Sequence, residues 1–138
     1  LVAPAPATFQ FLLHAPRPFA VEAGDALARV EQPRAALSVR YLSPLPLAFR
    51  QTDGFEPPPT REFPNLWHLE AATSERRAEL GMVTVLVPER AGRPVAWSAR
   101  REDRPDRVRV EVTVAGRRHT LEFPAPGTDR PVTLHPEP

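Results

Sequence analysis

The sequence predicts an all-β fold: an antiparallel β-sandwich of about ten short strands joined by proline-rich loops. Three observations carry that expectation. First, the 138 residues contain 19 prolines against 6 glycines, and proline fixes φ and removes a backbone donor, leaving little room for long helices. Second, apolar residues between those prolines recur with a period of two, as strands with one buried face require. Third, turn signals return roughly every 8–12 residues, the spacing of a sandwich. Apolar residues make up 41% and charged residues 25%, an ordinary globular composition, and the length suits one domain. Residues 1–7 read as a Pro/Ala linker or arm, 8–135 as a single β-sandwich domain, and 136–138 as a tail.

Each element has its own signal. Thr8 to His14 sets Phe9, Phe11 and Leu13 on one face and Gln10 and His14 on the other, a half-buried strand. Phe19 to Glu22 is a short strand, Gly24-Asp25 a turn, and Ala26 to Glu31 the hairpin partner. Leu37, Val39 and Tyr41 alternate with Ser38 and Arg40. Leu45 to Arg50 is bracketed by proline and suits a sheet edge. Gln51 to Asn65, with Pro57-Pro58-Pro59, has no periodicity and reads as a long loop. In Leu66 to Ala71, Trp67, Leu69 and Ala71 point inward, with His68 and Glu70 outward. Thr73 to Leu80 fits one helical turn, capped by Thr73 or Ser74 and stopped by Gly81. Met82 to Val87, apolar and β-branched, predicts a central strand buried on both faces. Val95 to Ser98 is a brief strand, and Pro131 to Leu134 closes the chain.

The clearest hairpin has Val108, Val110, Val112 and Val114 on one face, a turn at Ala115-Gly116, and Leu121 and Phe123 returning. A two-residue loop pairs Val110 with Leu121, Arg109 with Glu122 and Val112 with His119. A four-residue loop would set Glu111 against Glu122, a like-charge pair that costs energy. The shorter loop is therefore expected.

Composition excludes several function classes. The charge is +1, from 18 basic and 17 acidic residues, and every basic residue is arginine. That balance argues against a dedicated nucleic-acid binder, which carries a clear basic excess. With no cysteine, disulfides and thiolate metal sites are out. The most apolar run, Met82 to Val87, is six residues and contains Thr84, far too short for a membrane span. The chain opens at Leu1 with no charged segment leading into an apolar stretch, as expected of a chain cut from, or copied out of, something longer.

Motifs for chemistry are sparse. His14, His68, His119 and His135 are widely separated, with no HxH or HExxH spacing, so no metal site is expected unless the fold makes them converge. His68 stands out because Glu70 shares its face. None of Ser38, Ser43, Ser74 and Ser98 sits in a G-x-S-x-G elbow, and no glycine-rich phosphate cradle occurs. No catalytic residue and no cofactor are assigned. The run Arg100, Arg101, Arg104, Arg107, Arg109, Arg117 and Arg118 gathers guanidiniums suited to bidentate binding of carboxylate or sulfate, a possible contact for an anionic polysaccharide. Glu102, Asp103, Asp106 and Glu111 interleave with it, so a salt-bridged sheet face is the stronger expectation. Trp67, Trp97 and Tyr41 could stack on sugar rings, but Trp67 and Tyr41 share faces with Leu69 and Val39, which favours core packing.

The order of phrases along the chain carries a resemblance. FQFLLHAP at 9–16, GDALARVEQPRAALSVRYLSP at 24–44, LWHLEAATSERRAELGMVTVLVP at 66–88 and VRVEVTVAGRRHTLEF at 108–123 resemble the C-terminal portion of heparinase II/III-like polysaccharide lyases. MVTVLVP fits closely, whereas Gln10-Phe11 stands where the family has a tryptophan. The resemblance implies a multi-domain enzyme, periplasmic or secreted, with an α/α toroid, a central β-sandwich and a smaller C-terminal β-sandwich. Such enzymes cleave uronate-containing polysaccharide by β-elimination. Asn neutralises the uronate carboxylate, while Tyr and His exchange protons, all on the toroid and on an early H-x-H segment. Neither element occurs in this chain; Tyr41 matches no catalytic motif, and His14 matches the family's strand histidine, which is not assigned as a catalyst. The resemblance therefore implies a non-catalytic C-terminal β-sandwich whose partners are the upstream domains of the same polypeptide, with anionic polysaccharide as a further candidate. The alternative is an independent carbohydrate- or protein-binding module.

Overall fold

The computed structural model describes residues 1–54, 64–124 and 131–136. They form thirteen strands and one 3-10 turn at Ala23–Asp25, with no α-helix among the described residues. Every strand pairing is antiparallel. The all-β expectation holds. Contacts divide the chain into two compact units, Leu1–Gly92 and Arg93–Pro138, where a single domain over 8–135 had been expected.

The first unit contains β1 (Val2–Ala7), β2 (Gln10–Ala15), β3 (Ala20–Glu22), β4 (Leu27–Glu31), β5 (Ala35–Leu42), β6 (Leu47–Asp53), β7 (Trp67–Thr73), β8 (Arg77–Glu79) and β9 (Val83–Arg90). They build a three-stranded sheet, β2-β7-β6, a four-stranded sheet, β3-β4-β5-β9, and a β1-β8 ribbon. The two larger sheets share one apolar core. Ala15, Leu69 and Ala71 from the first meet Ala28, Val30, Val39 and Tyr41 from the second, with Phe19 between. Tyr41 stands edge-on to Phe11 and Phe49, with ring centroids 5.5 and 5.6 Å away, the geometry that aromatic quadrupoles favour. This unit is a sandwich. Its faces follow the predicted alternation in β2 and β7, where Phe11, Leu13, Leu69 and Ala71 point inward.

A side chain clamps these sheets where no ladder can. Gln51 Oε1 accepts from the Phe19 backbone N–H at 2.6 Å, and Gln51 Nε2 donates to the Phe19 carbonyl at 3.3 Å. Both main-chain groups of a buried residue are thereby satisfied.

Several local expectations are corrected. Residues 1–7, read as an arm, include strand β1, whose Val2 and Ala7 pair with Glu79 and Arg77. Its prolines are compatible with an edge strand. The helical turn over Thr73–Leu80 is instead a bend and strand β8, because the Leu1 backbone nitrogen and carbonyl both bond Leu80, each at 2.9 Å. Long-range pairing there outweighs a local cap. Strand β9, expected in the middle of a sheet and buried on both faces, lies at an edge, and its Leu86 is 48% exposed. β6 does lie at an edge but runs on through Gln51 to Asp53. The triple proline at 57–59 falls outside the described residues.

The second unit is a meander of β10 (Trp97–Arg104), β11 (Arg107–Val114), β12 (Arg117–Pro124) and β13 (Thr133–Pro136), paired in that order. The two-residue hairpin loop is present, with Val110 opposite Leu121, Arg109 opposite Glu122 and Val112 opposite His119. Ala115 and Gly116 both have positive φ, 50° and 80°, as a type I′ turn requires. β10 extends six residues past Ser98, where the expected strand stopped. β13 runs to Pro136, so His135 is a ladder residue opposite Thr120, and the expected tail over 136–138 begins inside a strand.

Candidate functional site

The arginine-rich segment is organised by the meander's register. Side chains directly opposite one another share a face, and the pairings Arg100↔Glu111, Glu102↔Arg109 and Arg104↔Arg107, with Arg109↔Glu122 and Thr113↔Arg118, put five arginines on one face. Arg101 and Arg117 lie on the other, opposite Val110 and Val114. The seven predicted positions are therefore split between two faces.

Arg100, Arg101, Arg104, Arg107 and Arg109 each hold an ion pair. Glu111 accepts from Arg100 Nε at 2.7 Å and contacts Arg109 Nη2 at 3.0 Å. Arg104 meets Glu102 at 3.1 Å. Arg107 reaches both Asp106 and Glu122 at 2.9 Å, beside a notch also lined by Pro124, Pro131 and Thr133. Arg101, on the more apolar face, is tied to Asp103 at 2.6 Å. The hydrogen bonds it donates, first to Asp106 and then to Glu122, hold the Arg107 guanidinium more firmly protonated than usual. The Arg104 hydrogen bond depresses the Glu102 carboxyl below the ordinary carboxylate range. An anion arriving at this face must compete with carboxylates already bound there.

The first unit holds a second cluster, on the outward face of β2-β7-β6. The β2–β7 register sets His14 directly opposite His68 and Leu12 opposite Glu70, and β6 adds Arg50 beside Glu70 and Thr52 beside His68. Gln10 Nε2 donates to Glu70 Oε1 at 2.9 Å. Gln10, Leu12, Arg50, Thr52, His68 and Glu70 line a shallow groove. Sequence reading singled out His68 and Glu70 but did not bring in His14, which lies on another strand far away in the chain. The available signal was that His14 and His68 both occupy outward positions of predicted strands.

A third arrangement went unseen in the sequence. On the far side of the four-stranded sheet, Arg29 Nη1 donates to Ser38 Oγ at 2.9 Å and to the Glu89 carboxylate. The Glu89 side chain is only 2% exposed. The Glu89 hydrogen bond is the main influence raising the Arg29 guanidinium. Ser38 thus serves an arginine. Tyr41 is 2% exposed, and its hydroxyl has no hydrogen-bond partner among the described residues. Burial pushes the phenol up to about 12. Among the described residues no group of three or more His, Asp or Glu converges as a metal cage, and no helix is long and apolar enough to cross a membrane. Comparison with family models, curated proteins and solved structures returns no match for this chain.

Proposed function

We propose that this chain is the non-catalytic C-terminal β-sandwich of a heparinase II/III-like polysaccharide lyase, periplasmic or secreted. Upstream domains of the same polypeptide would carry out β-elimination on uronate-containing polysaccharide. The phrases that carry the resemblance support this, because they fall on β2, β4, β5, β7, β8, β9, β11 and β12. The observation that carries the non-catalytic half is the position of Tyr41. The chain's one tyrosine has its ring in the core and its hydroxyl out of reach of a polymer in solvent. Proton exchange at a sugar carbon needs a phenol within hydrogen-bond reach of the substrate.

Sequencing the coding DNA upstream of Leu1 tests the reading. A long open frame encoding helical repeats and then an H-x-H segment is expected. A start codon or a bare signal peptide just ahead of Leu1 would overturn it. A second reading, an independent polyanion-binding module, is favoured by the five guanidiniums on one face of the meander. It predicts salt-sensitive retention on a heparin or alginate column, lost on Arg107→Ala plus Arg109→Ala. Unchanged elution of the two proteins would rule it out.

A further inference from the structure

His14 and His68 face each other across β2 and β7, with ring centroids 4.4 Å apart and planes at 81°. We propose that this cross-strand pair is a two-histidine binding site for a divalent transition metal ion of the class that prefers imidazole: Cu2+, Ni2+ or Zn2+. The spacing carries the argument. A metal bound to imidazole nitrogen at about 2.0–2.1 Å lies about 3.2 Å from the ring centroid, so two rings on one ion have centroids about 4.5–5.2 Å apart for bond angles between about 90° and 109°. The observed spacing is within a few tenths of an ångström of that range. Turning one nitrogen of each ring toward a common ion needs rotation mainly about the Cβ–ring bonds, whose torsion is broad. The strands need not move.

The surroundings suit a cation of this kind. His14 is exposed, which gives an ion and its remaining waters a way in. Glu70, on the same face of β7, offsets the positive charge of Arg50 on β6. A coordinating imidazole can keep its other nitrogen for a hydrogen bond, which fixes the ring and raises its basicity. With two protein ligands, water fills the other positions and the affinity is modest. Cu2+ should bind most tightly by the Irving–Williams order, and the oxygen-seeking Mg2+ should not bind.

Calorimetric titration of the full chain at neutral pH with CuCl2, NiCl2, ZnCl2 and MgCl2 tests the site, with paramagnetic resonance of the Cu2+ complex counting its nitrogen ligands. One saturable Cu2+ site with two imidazole nitrogens is expected, weakened about tenfold or more by His14→Gln, since one arm of the chelate is lost. The double variant His119→Gln plus His135→Gln should bind like the parent. His14 is exposed, so His14→Gln is the variant that leaves the core alone, and its circular dichroism spectrum confirms folding. No saturable Cu2+ binding would overturn the proposal. So would full affinity in His14→Gln, or a loss that follows His119 and His135 instead.

Discussion

Arg29–Glu89 in the first unit and Arg104–Glu102 in the second are both arginine–glutamate pairs, but they differ in what surrounds them. The Glu89 side chain is 2% exposed, whereas Arg104 and Glu102 stand 39% and 56% exposed. In water the Coulomb attraction of a pair is small and salt-screened. Away from water the same carboxylate has lost its hydration and depends on the guanidinium facing it. The second unit has the more conspicuous ladder, with Arg100, Arg104, Arg107 and Arg109 all paired on one face. Charge density is thus a poor guide to where charge matters for stability. The first unit concentrates its dependence in a few polar groups: the buried Glu89 and Tyr41, and the half-buried Gln51 clamping Phe19.

The largest effect should come from separating the buried pair. Arg29→Met leaves the Glu89 carboxylate without its guanidinium and should cost about 3 kcal/mol in urea-induced unfolding. Removing both charges with Arg29→Met plus Glu89→Leu should recover most of that loss, because an apolar pair needs no desolvation repaid. If the single variant unfolds at the parental urea concentration, the contrast between the units fails. Gln51→Leu comes next, at about 2 kcal/mol, since it strands the Phe19 amide and carbonyl.

Tyr41 gives a similar magnitude, read through pH. Its folded-state pKa, pushed up to about 12 by burial, lies above the usual value of about 10 for an unfolded chain. The neutral phenol is therefore favoured by folding. Its contribution is fully present below about pH 10 and lost as pH rises through 12, by about 2–3 kcal/mol in total. The chain has one tyrosine, no cysteine and no lysine, so no other side chain should change charge in that window. Tyr41→Phe should abolish the alkaline loss. At neutral pH it should stabilise the fold by about 1 kcal/mol, because a buried hydroxyl without a partner is removed. Identical alkaline unfolding profiles for the two proteins would count against burial as the cause.

These cases also mark how far the sequence could be read. Alternation exposed the faces of β2, β5 and β7, and a single like-charge clash between Glu111 and Glu122 selected the hairpin register. Both are local quantities. What stayed hidden depends on which strands meet. Nothing within Met82–Val87 tells whether another strand lies beyond it, so β9 was expected to be central. The strand at Val95–Ser98 was expected to stop there, because the residues that carry it on to Arg104 are charged and their partners lie on β11. Val2–Ala7 read as an arm because its partner is β8. The candidate sites divide the same way. The arginine row was visible as a run, but its division between two faces and its ion pairs required the register. The opposition of His14 and His68, and of Arg29 to Glu89, joins residues far apart in sequence and requires the sheet order as well.

The hairpin tip of the second unit offers a gain. Ala115 sits at φ 50°, a left-handed conformation that costs a residue with Cβ roughly 1–2 kcal/mol. Asparagine tolerates it and is favoured at that position of a type I′ turn. Ala115→Asn should therefore stabilise the unit by about 1 kcal/mol, seen as a higher denaturation midpoint, with the Val110↔Leu121 register unchanged in nuclear Overhauser contacts. A lower midpoint would mean that the tip is not held in this turn.

The smallest effect is expected where the charge is most visible. Arg104→Ala removes one rung of the exposed ladder, and the Glu102 it leaves behind can rehydrate at once, because more than half of that side chain already faces water. Its unfolding midpoint should be indistinguishable from the parent at physiological salt, and only lowering the ionic strength should separate the two. A loss as large as that of Arg29→Met would show that the ladder acts as one cooperative network, and the meander would then owe its stability to charge after all.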